Sequence, residues 1–165
     1  MKEFDMIDLG ELHHFLSIKV HQGKVGTFLS QENYAREIIK KFKMEHSNSV
    51  STPCLTGLKL SKEGEGKLVD PTMFRSLIEN LIYLTATRPD IMFAISLVSR
   101  FMEKPFSNHW EAAKRILRYV KGTIDYGIFY KANVPIQLVG YTYGDLGRNI
   151  DDSRSTSEYI FNLGS

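Results

Sequence analysis

Four cations crowd one short segment: Lys114, Arg115, Arg118 and Lys121. On a helix, Lys114, Arg118 and Lys121 fall at i, i+4 and i+7 and share a face, with Arg115 beside them, while Trp110, Ala113, Leu117 and Val120 line another. Such a stripe can meet the phosphates of a nucleic-acid duplex without reading its bases, and the contact weakens with salt. The same pattern suits an ordinary solvated helix face, and the residues alone leave both readings open. Lys40, Lys41 and Lys43 repeat the choice on an earlier helix.

The other reactive side chains form no constellation. His13 and His14 are adjacent on a predicted strand and point to opposite faces, so they cannot share a metal. His21, His46 and His109 are scattered, and Cys54 is the one cysteine, which excludes an intrachain disulfide and leaves zinc without a ligand set. Asp151 and Asp152 sit between Asn149 and Ser153 and read as a turn. No glycine spacing makes a phosphate loop, and no Ser–His spacing defines a nucleophile and base.

The elements that must position these residues are read from periodicity. Of the 165 residues 42% are hydrophobic, enough to bury a core, and the formal net charge is only +2. Residues 12–20 and 27–29, separated by Gly23 and Gly26, predict an N-terminal β-hairpin. After Ser30, a candidate N-cap, Tyr34, Ala35, Ile38, Ile39 and Phe42 recur at helical spacing to about residue 44. Residues 45–68 lose all periodicity and read as a long exposed connection, the best candidate for a boundary between sub-units. Asp70 and Pro71 cap and start a helix carrying Phe74, Leu77, Ile78 and Leu81, Pro89 starts another to about 102, and Ser107 caps a third ending at Gly122. Residues 127–130, 137–143 and 159–163 predict short strands of an antiparallel meander. The fold class is α+β: an N-terminal hairpin, a central helical bundle and a C-terminal partial sheet. No apolar run approaches the roughly 20 residues that span a bilayer, no signal-peptide pattern opens the chain, and the single cysteine fits a reducing, intracellular setting.

Several short signatures then occur in a fixed order: residues 6–10 (MIDLG), 15–20 (FLSIKV), 28–34 (FLSQENY), 51–53 (STP), 69–84 (VDPTMFRSLIENLIYL), 85–91 (TATRPDI), 109–122 (HWEAAKRILRYVKG) and 155–157 (STS). Together they resemble the Pol polyprotein of copia-type LTR retrotransposons across essentially the whole chain. The resemblance implies that residues 1–30 close the palm of a reverse transcriptase, that 31–126 form thumb and connection helices, and that 127–165 open a ribonuclease H sheet. The hairpin near Gly26 would resemble the region that supports the primer end. Intact family members polymerise DNA on RNA and cleave RNA with Mg2+; the implied partners here are an RNA–DNA duplex, met through Lys114, Arg115, Arg118, Lys121, Lys40 and Lys41, and other parts of the polyprotein, with no membrane.

The chain also departs from the family. Asp5 and Asp8 do not form the Tyr-x-Asp-Asp hairpin that holds the polymerase metals, and the fingers are missing. Where the family places the first metal-binding Asp of its ribonuclease H, residues 141–146 (YTYGDL) have Tyr143, which is no carboxylate; Asp145 survives as a lone acidic residue. Ser17 and Glu79 stand where the family usually has Gly. The expectation is a catalytically incomplete fragment with nonspecific nucleic-acid contact. Its alternatives are part of an active polymerase and ribonuclease H, or a domesticated interaction module.

Overall fold

The computed structural model describes residues 10–135, 137–145, 151 and 156–162, with the backbone alone at 143–145 and 156–158. Asp5, Asp8 and Asp152 lie outside the described residues.

A helical core organises the chain. Helix α1 (Glu32–Lys41) buries Ala35, Ile38 and Ile39, and α2 (Pro71–Leu84) buries Phe74, Leu77, Ile78, Leu81 and Leu84. A 3-10 turn at Pro89–Ile91 leads into α3 (Met92–Ser99), and α4 (Ser107–Gly122) buries His109, Ala113, Ile116, Leu117 and Val120. The apolar side chains among these form one continuous cluster, and each large one stabilises the fold by roughly 1.5–3 kcal/mol through removal from water. Local chemistry starts α2 as expected: the Asp70 carboxylate accepts from the Thr72 N–H at 2.9 Å, and Pro71 fills a position whose N–H would have no partner. Ser30 does not cap α1. It ends a strand, and Gln31 takes the cap position.

The first sheet holds four antiparallel strands in the order β1 (His14–Phe15), β2 (Ile18–Gly23), β3 (Gly26–Ser30), β4 (Gly127–Lys131). Two features depart from the sequence expectation. The single strand expected over 12–20 is broken by a two-residue turn, with Leu16 at φ 46° and Ser17 at φ 62° between the paired Phe15 and Ile18. Positive φ at both central residues is the pattern of a type I′ turn, which favours Asn-Gly rather than Leu-Ser, so the sequence gives no hint of it. Ser17, where the family resemblance expects Gly, is thus held in a backbone region that costs a side chain energy.

The second departure is β4. The periodicity of residues 127–130 predicts a strand of the C-terminal meander, yet β4 lies across β3, with Phe28 opposite Phe129 and Leu29 opposite Ile128. Two glycines fix the pairing. A Cβ at Gly26 would lie 2.6 Å from Cζ of Phe129, and one at Gly127 would lie 2.8 Å from Cζ of Phe28. Each ring lies over the glycine diagonally across the ladder, packing that periodicity does not register. The meander therefore reduces to a two-stranded pair, β5 (Val139–Asp145) against β6 (Thr156–Asn162), with Tyr141 opposite Ile160.

The connection at 45–68 also differs from a spacer. It folds back on α4, with Lys67 accepting from the Ser107 N–H and the Val69 N–H donating to Pro105, both at 2.9 Å. Among the described residues, no helix is long and apolar enough to cross a membrane.

Candidate nucleic-acid interface

Helix α4 places the basic stripe as its spacing predicts, and its surroundings come from elsewhere in the chain. Lys114, Arg115, Arg118 and Lys121 are all half-buried. Among the described residues none of the four is ion-paired. Two of them, Arg115 and Lys121, meet uncharged oxygens of residues 45–52. Lys121 Nζ donates to the carbonyls of Glu45 and Ser47, the latter at 2.6 Å, and Arg115 Nη2 donates to Thr52 Oγ1 at 2.9 Å. Nε of Arg115 and Nε of Arg118 are buried with no acceptor among the described residues. Buried guanidinium donors without acceptors are costly. A phosphate, with several anionic oxygens, is a ligand that would satisfy them.

Lys40 and Lys41 end α1 and are exposed; Lys41 Nζ sits 5.6 Å from the centroid of the Phe42 ring. That ring meets Trp110 edge-on at 6.3 Å, tying the end of α1 to the start of α4.

Two nodes that the sequence reading did not single out hold the α4 platform. Arg88, 3% exposed, makes a bidentate pair with Asp90 (Nε–Oδ1 2.9 Å, Nη2–Oδ2 2.7 Å). It also donates to the Thr123 carbonyl at 2.8 Å and to Thr123 Oγ1 at 2.7 Å, and lies within 5.5 Å of the Tyr119 and Tyr126 rings. Burial alone would raise the Asp90 pKa, but the Arg88 guanidinium, with hydrogen bonds from Tyr119 and the backbone, holds the carboxyl below its ordinary value. One buried cation therefore joins the start of α3 to the end of α4. Its signal was the Arg-Pro-Asp run inside residues 85–91, which resembles the family but does not announce burial.

His109 is the second node. It is fully buried and stacked on Phe101 with ring centroids 4.0 Å apart. Nδ1 accepts from the Phe106 N–H at 3.1 Å, so Nε2 carries the hydrogen and donates to the Ser61 carbonyl at 2.9 Å. Burial lowers its pKa against the raising effect of the Ser61 carbonyl. Ser61 Oγ and the Lys62 N–H in turn donate to the Asp151 carboxylate at 2.7 and 2.8 Å, and these bonds hold that acid below its ordinary range. Asp151 thus ties residue 151 to the connection at 61–62.

Catalytic groups are another matter. Among the described residues no three His, Cys, Asp or Glu side chains gather where one ion could be held. The β5–β6 register sets Tyr143 opposite Glu158 and Asp145 opposite Thr156. His13, His14, His21 and His46 are exposed, and Cys54 is half-buried beside the core.

With this geometry in hand, comparison with known proteins defines the class. Residues 1–56 match the family model described as reverse transcriptase (RNA-dependent DNA polymerase). Over 163 residues the chain is 37% identical to the retrovirus-related Pol polyprotein from transposon RE2 of Arabidopsis thaliana, covering 99% of this chain and 11% of that one. It is 38% identical over 170 residues to the Pol polyprotein from transposon TNT 1-94 of Nicotiana tabacum, covering 97% of this chain and 13% of that one. An uncharacterized mitochondrial protein of Arabidopsis thaliana is 37% identical over 161 residues, 98% of this chain and 67% of that one. No solved structure matches. The chain belongs to the copia-type LTR retrotransposon Pol polyprotein family and spans little more than a tenth of the length of the polyproteins it matches.

Proposed function

We propose that this chain is a nucleic-acid-contacting piece of a copia-type Pol polyprotein that does not itself polymerise DNA or cleave RNA. The observation that carries the contact is the α4 stripe: four cations on one helix that, among the described residues, have no ion pair and include two buried guanidinium nitrogens without an acceptor. The class of ligand that meets such a stripe is a phosphate backbone, bound without base selectivity. Lys40 and Lys41, exposed at the end of α1, extend the cationic surface.

Catalytic incompleteness is supported by the donor set. Two-ion phosphoryl chemistry needs several carboxylates a few ångström from both ions. The strand that resembles the start of the ribonuclease H has Tyr143 in the first ligand position and Asp145 alone beyond it. These residues do not fit a Mg2+ pair. Other polyprotein segments are the natural cover for β5 and β6, whose Tyr141, Tyr159, Ile160 and Phe161 are exposed on both faces.

The test is binding of the folded chain to a labelled RNA–DNA duplex across a salt series, beside the Lys114→Ala/Arg118→Ala variant. The expected log–log salt slope is steep, and loss of two phosphate contacts should lower its magnitude by roughly 2. An unchanged slope would move the contact elsewhere, and absence of binding at low salt would end the reading. Polymerase or ribonuclease H turnover by this chain with Mg2+ would contradict the incompleteness.

A further inference from the structure

We infer that residues 45–52 are an autoinhibitory strap that lies along the basic stripe of α4 and must lift before that stripe can hold a phosphate backbone. The inference rests on the reading of α4 as a phosphate-contacting face and adds its regulation. The strap runs antiparallel to the helix: Glu45 and Ser47 meet Lys121, Ser49 meets Gly122, and Thr52 meets Arg115. It supplies neutral oxygens, two carbonyls and a hydroxyl, to the ammonium and guanidinium groups that would otherwise face a ligand. Among the described residues, Nε of Arg115 and of Arg118 have no acceptor. A phosphate oxygen is a stronger acceptor than a carbonyl or a hydroxyl, so exchanging strap for ligand gains hydrogen-bond strength at Lys121 and Arg115.

Lifting the strap is cheap in apolar surface. Between the buried Met44 and the half-buried Cys54, each packed into the core, the apolar residues are Val50 and Pro53, and both are only half-buried. Glu45, His46, Asn48, Ser49, Ser51 and Thr52 are exposed. The segment is thus anchored at both ends and lightly held in the middle, the arrangement of a hinged cover rather than a core element. Gly122 marks the closest approach: a Cβ there would lie 2.9 Å from Ser49 Cβ.

That approach provides the experiment. In a Cys54→Ala background, the pair Ser49→Cys and Gly122→Cys places two thiols where a small backbone adjustment allows a disulfide. Binding to the RNA–DNA duplex is measured oxidised and after dithiothreitol, with circular dichroism confirming the fold in both states. If only the open form binds, apparent affinity scales with its population, and the oxidised form should bind roughly tenfold or more weakly than the reduced one. Gly122→Ala, which pushes Ser49 outward without a cross-link, should bind more tightly than the parent and serves if the disulfide does not form. Equal affinity in the two redox states, with Lys114→Ala/Arg118→Ala still weakening binding, overturns the strap and leaves the α4 reading standing. Tight binding by the oxidised form, or no gain in Gly122→Ala, also overturns it. Absence of binding in every state overturns both.

Discussion

Phe74, Leu77, Ile78 and Leu81 sit within two turns of α2 and retain no exposed surface, whereas Tyr159, Ile160 and Phe161, consecutive on β6, each keep 63–65% of theirs. Both sets are large and mainly apolar; what differs is whether another element covers them. Helices α1, α3 and α4 enclose α2 from several sides, while among the described residues β5 and β6 pair only with each other and present large apolar side chains on both faces. A two-stranded pair has little stability of its own in water. The helical core therefore carries the fold, and the β5–β6 pair adds little to it.

Substitutions sharpen that contrast. Leu77→Ala should cost about 2–5 kcal/mol, because a cavity opens where the surrounding helices are already fixed, and chemical denaturation reads the loss. Arg88→Met should cost about 3 kcal/mol, since it strips the Thr123 carbonyl and Asp90 of their partner; Asp90 keeps some solvent, which caps the penalty. His109 makes stability pH-dependent. Its folded pKa lies below the unfolded value near 6.5, so the unfolded chain binds the extra proton in that window. Stability is unaffected above that pH and falls as pH drops through it, by no more than about 1.4 kcal/mol per unit. Denaturation midpoints from pH 7.5 to 5 check this, and His109→Gln should flatten the profile over that range.

Smaller effects belong to the sheets. Ser17→Gly should stabilise by about 0.5–1 kcal/mol by relieving positive φ in the β1–β2 turn. Ile160→Thr should change stability by less than about 0.5 kcal/mol, as surface substitutions do. A loss of several kcal/mol there would mean that β5–β6 is part of the cooperative unit and would dissolve the contrast.

The uneven legibility of the sequence follows the same division. Helical period, Asp70-Pro71 and the α4 stripe are local signals, written within one or two turns of chain, and the structure places them as expected. Long-range pairing is not local. That β4 crosses to β3 depends on Phe28 and Phe129 each finding a glycine a hundred residues away, and the Leu16-Ser17 turn lacks turn residues altogether. The stripe was likewise legible as residues but not as an environment: that Lys121 is held by Glu45 and Ser47, or that Arg88 reaches Thr123, is tertiary information. His109 read as one scattered histidine because Ser61 is brought to it only by folding of the connection, while its bond from the Phe106 N–H is a local one at the start of α4.

Native-state hydrogen exchange on the whole chain tests the central division most directly. Amides of α2 and α4 should exchange only with global unfolding, while those of β5 and β6 should exchange close to the rate of an open chain. Protection of the β5–β6 amides equal to that of residues 77–81 would contradict the account, because it would show that the exposed pair shares the stability of the helical core.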